Sequence, residues 1–427
     1  MDFFNYKNGE LYCEGVPAEK IARDVGTPAY VYSKATFLHH YRQIAEAFAP
    51  FNTTICYSIK SCGNIHICKF LAEQGCGFDV TSDGELFRAL KAGGDPKKII
   101  YAGVGKTDEE IANGINAGIA AFNLESEAEI ENIDRVAASL GKTAIGAIRI
   151  NPDVDPKTHI KTTTGKKETK FGVDIERARR VFSQYRNLKH LRVAGVHIHI
   201  GSPVYELQPY VQAVEKIVQL IKDLTADGHH IEWFDMGGGF AVNYERPDQA
   251  LPISQHARAL IPLLKDQPYK LALEPGRYIA GNAGILLTRV LYRKTGGEKK
   301  FVIVDAGMND LIRPTLYEGY HHIWPVKPGV ANIPLARTRG FEPASGEIVD
   351  VVGPICESGD YLAQGRILPQ TQRGDLLAVF TAGAYGFAMS SNYNNRPRVP
   401  EILVDGNEFR IIRRRETLDD LIAAEMV

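Results

Sequence analysis

Thr54-Ile55-Cys56-Tyr57-Ser58-Ile59-Lys60 decides the fold: a short apolar strand ends in a charged residue and runs into a helical pattern around 65–74. The same unit recurs down the chain. Its spacing predicts strands over 54–59, 77–80, 98–102, 120–124, 144–150, 193–200, 231–236 and 270–274. Helices are predicted around 65–74, 84–92, 126–140, 174–185, 208–224 and 254–265, with another starting at 107. Thr107 with Glu110, and Ser126 with Glu129, have the spacing of a capping box. Only the connection from 151 to 172 reads as a long loop. Strands that alternate with helices call for parallel pairing, and eight such units over ~240 residues match a closed (β/α)8, TIM-like barrel.

A barrel of this kind builds its site from the C-terminal ends of its strands. Those ends read Lys60; Asp79 with Ser82 and Glu85; Tyr101; Asn123; Arg149; His199; Gly237-Gly238-Gly239; and Glu274-Pro275-Gly276-Arg277. After about residue 283 the pattern changes. Strands near 285–292, 300–305, 347–352, 375–380 and 401–405 follow one another without regular helices, and Gly and Pro punctuate the gaps. We therefore expect a barrel domain over 35–283 and an all-β second domain formed by 1–34 and 284–427.

Composition narrows the function. The chain has 427 residues and a formal net charge of −1, with no long basic run, which argues against nucleic acid and anionic membrane as partners. The segment 1–10 lacks an apolar core, and no apolar stretch is long enough for a bilayer. A soluble cytoplasmic protein is expected. Cys56, Cys62, Cys68 and Cys76 lie close together but form no C-x-x-C pair, so they read as reduced, mostly buried thiols and not as a zinc site.

Lys60 taken alone would be a solvated surface lysine. At the end of an apolar strand, where a barrel opens its site, it is a candidate imine-forming amine, because partial desolvation lowers its pKa. With glycine-rich and anionic neighbours it points to a Schiff base with a phosphate-bearing aldehyde, pyridoxal phosphate. His197 and His199 alternate on one face of their strand, and His199, nearer the end, is the better candidate to stack on a flat ring. Ser202 and the amides of Gly237, Gly238 and Gly239 suit a phosphate. Glu274 suits a pyridine nitrogen, and Arg277 a phosphate or a substrate carboxylate. Arg149 with Glu85 reads as a supporting ion pair. In the second domain Arg313 is a candidate for another carboxylate, and Cys356, flanked by acids on a loop, for a proton donor. An inert thiol and structural ion pairs are the plainer alternatives.

Several segments together resemble the fold-type III pyridoxal-phosphate decarboxylases, and among them the diaminopimelate decarboxylase family. They are Asn5-Tyr-Lys-Asn-Gly-Glu-Leu-Tyr12, Asn151-Pro-Asp-Val-Asp-Pro156, Lys170-Phe-Gly172, His199-Ile-Gly-Ser202, Glu274-Pro-Gly-Arg277, Gly307-Met-Asn-Asp-Leu-Ile-Arg-Pro314, Cys356-Glu-Ser-Gly-Asp360 and Gly383-Ala-Tyr-Gly-Phe387. The resemblance implies pyridoxal 5'-phosphate as cofactor, bound covalently to Lys60. It implies His199 stacked on the ring, Glu274 at the ring nitrogen, and Ser202, Gly237, Gly238, Gly239, Gly276, Arg277 and Tyr385 around the phosphate. Arg277, Arg313, Tyr317, Glu357 and Tyr385 are implied to hold substrate, with Cys356 as proton donor. It further implies a homodimer in which Cys356 and Glu357 reach the partner's site. The implied reaction is decarboxylation of meso-diaminopimelate to L-lysine, the last step of lysine biosynthesis. A decarboxylase of another D- or basic amino acid, or a non-catalytic cofactor-binding relative, is the alternative. The family's usual Lys-Ala-Asn reads Lys60-Ser61-Cys62 here, and Pro203 replaces a usual glutamine.

Overall fold

The computed structural model describes residues 2–51, 53–157, 170–265, 267–337, 339–343 and 345–427. Residues 158–169 of the expected long loop lie outside the described residues. The chain divides into two compact units, one formed by 41–241 with 250–278 and the other by 1–40, 242–249 and 279–427.

The first unit is a closed barrel. Its strands are β1 (Thr53–Ser58), β2 (Gly77–Val80), β3 (Ile99–Tyr101), β4 (Ala121–Leu124), β5 (Ala144–Asn151), β6 (Leu191–His197), β7 (Trp233–Asp235) and β8 (Lys270–Leu273). All pair in parallel around the ring, with β8 joined to β1. Helices cover the outer face, so β2, β3 and β4 are buried along their whole length. Cys56, Ile100 and Ala272, from three strands, pack against one another in the core. This is the expected (β/α)8 architecture, accompanied by a separate, mostly sheet unit.

Local signals set the helix starts. Thr107 Oγ1 accepts from the Glu110 amide while the Glu110 carboxylate accepts from the Thr107 amide, a complete capping box before Asp108–Ala117. The second expected box forms only by half. Ser126 caps Glu127–Ser139, but Glu129 turns to accept from the Glu125 amide and from Lys106. A buried lysine outcompetes the exposed end of a helix for that carboxylate.

In the second unit a sheet runs through Tyr361–Pro369, Gly346–Val352, Lys299–Val304, Gly284–Gly296, Ala29–Ser33, Glu401–Asp405 and Glu408–Arg413. The N-terminal strand Ala29–Ser33 sits inside it, antiparallel to Gly284–Gly296 and parallel to Glu401–Asp405. Leu376–Val379 also pairs with Gly284–Gly296 and carries Ile323–Pro325 at its side. No helix among the described residues is long and apolar enough to cross a membrane.

Candidate active site

Lys60 lies in a single 3-10 turn, Ile59–Ser61, that closes the end of β1. Its Nζ donates to Asp79 Oδ2 at 2.5 Å, and Ser58 Oγ donates to the same oxygen. Asp79 is fully buried, and burial together with the nearby Glu274 pushes its carboxyl up against the pull of Lys60. An acid held this way is ready to take a proton from the amine beside it.

Across the barrel mouth, the ends of β4, β6, β7 and β8 bring together Asn123, His197, Asp235 and Glu274, all buried. Asn123 Nδ2 donates to Glu274 Oε1 at 3.0 Å, and His197 Nε2 lies 3.4 Å from Glu274 Oε2. Burial alone would raise the Glu274 carboxyl, yet His197 and Lys60 hold it far below the usual carboxylate range. Asp235 moves the other way: burial and Glu274 push it well above its ordinary value while its Oδ1 accepts from the Gly237 amide at 2.9 Å. Asp235 and Glu274 share one dry site, with carboxylate oxygens within 4.8 Å of each other, and the upward push on Asp235 with the downward hold on Glu274 favours the proton on Asp235 and the charge on Glu274.

The glycine triplet is there for space. A Cβ on Gly237, Gly238 or Gly239 would meet the carbonyl oxygens of Ile198, Glu274 or Gly201 at 2.2 to 2.3 Å. Gly237 and Gly239 also have φ of 66° and 93°, a region that disfavours other residues. Strand β6 ends at His197, short of the expected 200, with the Ile198 amide still donating to the Asp235 carbonyl of β7 at 2.9 Å. The Gly238 amide donates to His199 Nδ1 at 3.2 Å, and burial with the Arg149 and Lys60 charges drives the imidazole down to about 3. His199 is therefore a neutral ring, suited to lie against another flat ring. Arg277 Nε donates to Ser202 Oγ at 3.1 Å, which joins the ends of β8 and β6. Gly276 packs where a Cβ would meet Ser58 at 2.8 Å.

The expected Arg149–Glu85 pair does not form. Arg149 Nη1 donates to Glu125 Oε1 at 2.8 Å, both side chains buried, while Glu85 accepts from the Thr81 amide and hydroxyl. Glu125 is nearer because it follows directly on β4, the neighbour of β5, and its second oxygen accepts from the Gly172 amide. Lys106 Nζ, with its side chain 1% exposed, donates to the main chain of Gly103 and Asn123 and to Glu129. Sequence reading missed Asp235, Glu125 and Lys106. Asp235 had a signal, since it sits two residues before the glycine triplet at the end of a strand.

In the other unit Arg313 begins the short helix Arg313–Tyr317, buried against the ring of Tyr244 at 5.0 Å and near Tyr317 at 5.9 Å. Cys356 and Glu357 are exposed on a loop. Asp360 ties that loop to the turn leading to Arg313 by accepting from the Met308 amide at 2.6 Å, while its other oxygen accepts from the Ile355 amide within the loop at 2.6 Å, and Thr315 Oγ1 donates to the Gly359 carbonyl at 2.7 Å. Tyr385 belongs to this unit too, at φ 56°. The expected site residues thus fall into two groups. Lys60, His199, Ser202, Gly237–Gly239, Glu274, Gly276 and Arg277 meet at the barrel mouth, while Arg313, Tyr317, Cys356, Glu357 and Tyr385 are carried by the sheet unit.

These features fit pyridoxal phosphate: an amine beside a proton acceptor, an ionised buried carboxylate for a ring nitrogen, a neutral imidazole face, and a glycine-lined turn beside Ser202 and Arg277. The comparisons agree. Residues 34–281 match the pyridoxal-binding domain of the pyridoxal-dependent decarboxylases. A diaminopimelate decarboxylase of Aquifex aeolicus is 45% identical over 420 residues, covering 98% of this chain and 96% of that protein. The crystal structure of diaminopimelate decarboxylase from M. jannaschii in co-complex with L-lysine aligns with a TM-score of 0.92 at 37% identity, over 100% of this chain and 98% of that one. The Helicobacter pylori enzyme complexed with L-lysine aligns at 0.89 and 38% identity, over 95% and 98%. With its length matched end to end, the chain belongs to the diaminopimelate decarboxylase family of pyridoxal-phosphate-dependent enzymes.

Proposed function

We propose that this chain decarboxylates meso-diaminopimelate at its D-centre, releasing CO₂ and L-lysine, as the last step of lysine biosynthesis. The observation that carries the reading is the Lys60 amine and the ionised Glu274 carboxylate at the mouth of one barrel, in a chain of this family. When bound, pyridoxal phosphate supplies an electron sink for the pair left behind as CO₂ departs.

The chain's own residues do the rest. Lys60 must lose its proton before its amine can bond to a carbonyl carbon, and Asp79 at 2.5 Å is the group positioned to receive it. Glu274 favours a protonated ring nitrogen by offering a fixed negative charge, and Asp235, neutral, does not compete with it. His199 presents an uncharged face to the ring. Ser202, Gly237, Gly238, Gly239, Gly276, Arg277 and Tyr385 are assigned to the phosphate by family likeness. Arg277, Arg313, Tyr317, Glu357 and Tyr385 are assigned to substrate: the two arginines suit the carboxylate that survives, and Glu357 suits the distal amine. Cys356 is assigned the proton delivered to the carbon that has lost CO₂.

Cys356 and Glu357 are exposed on the single chain, whereas a proton donor works best away from bulk water. This supports a homodimer in which each chain lends these two residues to its partner's site; a cytoplasmic location is part of the same proposal, as befits a biosynthetic step. The reading is tested by CO₂ release from the purified protein with pyridoxal phosphate, offered meso-diaminopimelate beside ornithine, arginine and lysine. Release from diaminopimelate alone, with lysine formed, is expected. Release only from another amino acid would keep Lys60 and overturn the roles given to Arg313 and Glu357.

A further inference from the structure

We propose that His321 is the positioning residue that fixes the guanidinium of Arg313, and that through it the enzyme selects ligands carrying the surviving carboxylate. The inference rests on the role given to Arg313 above.

His321 is fully buried in the sheet unit, just before the strand Ile323–Pro325. Its two ring nitrogens meet partners of opposite character. Nδ1 lies 2.9 Å from the Phe380 carbonyl oxygen, which can only accept, so Nδ1 bears hydrogen. Nε2 receives the Nε–H of Arg313 at 3.3 Å, and a guanidinium can only donate, so Nε2 bears a lone pair. Both contacts together permit one form of the ring, the neutral Nδ1–H tautomer. An imidazolium would aim an N–H at the arginine N–H and set two cations side by side in a buried place.

The ring is itself held in place. Arg366 Nη1 donates to the His321 carbonyl at 2.8 Å, and the Phe380 amide donates to the next carbonyl, of His322, at 2.8 Å. Tyr244 serves both partners: its ring meets His321 edge-on at 5.6 Å and lies under the Arg313 guanidinium at 5.0 Å. Bonding Nε sets the rotation of the guanidinium plane about the end of its side chain. A bidentate carboxylate contact depends on that plane, whereas simple attraction of charge does not. His321 therefore acts on geometry, and its loss should be felt by ligands with the carboxylate and not by ligands without it.

L-Lysine and cadaverine differ by that carboxylate alone. In the holoenzyme, His321→Asn keeps a donor toward Phe380 but falls short of Arg313, while His321→Gln can return an acceptor to Arg313. We expect His321→Asn to weaken lysine binding about tenfold, the loss of one hydrogen bond to a charged group, with cadaverine changed less than about twofold. For meso-diaminopimelate the loss should fall on KM more than on kcat, and His321→Gln should recover most of it. Equal weakening of lysine and cadaverine, or no difference between the two variants, would overturn the proposal. Arg313→Ala separates the two levels of the argument. If it spares lysine selectivity, the role of Arg313 fails and His321 with it; if it abolishes selectivity while His321→Asn does not, only the inference about His321 fails. Should neither His321 variant fold, ¹⁵N-histidine NMR of the wild-type holoenzyme reads the tautomer through the imidazole signal that shifts in Arg313→Ala. A proton on Nε2 of that ring would be decisive against us.

Discussion

A mixture of two inactive variants should regain activity. Lys60→Ala removes the amine proposed to hold the cofactor, and Cys356→Ala removes the proposed proton donor from an exposed loop. Neither change should unfold the chain. Asp79, left without Lys60, already has a carboxyl raised by burial and Glu274, so it can take up a proton and become neutral. The Cys356 main-chain contact to Asn394 at 2.8 Å does not depend on the thiol. If each site of the dimer combines Lys60 of one chain with Cys356 of the other, a mixed dimer has one site with both residues intact and one with neither. Equal mixing makes roughly half the dimers mixed, and half the sites in those are intact, so about a quarter of wild-type turnover should return in the unsorted mixture and about half in isolated mixed dimers. The assay is CO₂ release after subunit exchange, with the mixed dimer isolated by two different affinity tags. If sites were built within single chains, every site in the mixed dimer would lack one residue. Activity no greater than the sum of the separate variants, in a verified mixed dimer, would refute the shared-site reasoning.

Lys60→Ala should abolish turnover and also the visible absorbance of lysine-bound cofactor; normal turnover in that variant would end the assignment. Arg149→Ala strands a buried Glu125 carboxylate, and we expect a loss of about 3–5 kcal/mol in denaturant unfolding, with the double change to two apolar residues losing much less. Asp310 is buried, which pushes its carboxyl up to about 7. Its folded-state value lies above the unfolded one, so its contribution is full below about pH 4 and is lost as pH rises through 7; Asp310→Asn should flatten the melting temperature between pH 5 and 8 relative to wild type. Asp235→Asn, which replaces a protonated acid by a neutral donor, should keep cofactor affinity within a few-fold, whereas Asp235→Leu should weaken it strongly; equal loss in both would mean Asp235 works as a charge.

Much of this was legible in the sequence because barrel strands repeat a simple signal. Each buried parallel strand is a short apolar run with a polar residue at its end, and that residue is at the mouth whatever the details of packing. Lys60, Asp79, Asn123 and Glu274 were found this way. The capping box at Thr107 was equally local. What escaped depends on partners far away in the chain. Glu129 has the spacing of a capping residue, yet its carboxylate goes to Lys106, buried 23 residues earlier. Arg149 chose Glu125 over Glu85 because β4 and not β2 is the neighbour of β5. In the sheet unit the strand Tyr361–Pro369 was missed since Gln364, Gly365 and Arg366 break its alternation; Gly365 has φ 57° and its amide is taken by the Asp350 carboxylate at 2.7 Å, where the ladder shifts register.

The charges at the barrel mouth show why a closed ring suits this chemistry. Asp79, Asp235 and Glu274 come from β2, β7 and β8, with Lys60 after β1 and His197 on β6, and parallel strands deliver all of them to one end. Left as independent acids, three buried carboxylates would repel one another and each would tend to protonate. The structure divides the burden unequally. Asp79 faces the amine, Asp235 takes a proton and one backbone amide, and Glu274 receives Asn123 and the edge of His197, so it alone is held strongly ionised without a direct ion pair to lysine. A cationic ring nitrogen brought to Glu274 would then meet a charge already desolvated and fixed in direction, and little reorganisation would be needed at the moment of reaction. Nor would a simple count of acids and bases have separated these three roles, because burial raises all three alike. Their neighbours across the ring decide which one keeps its charge.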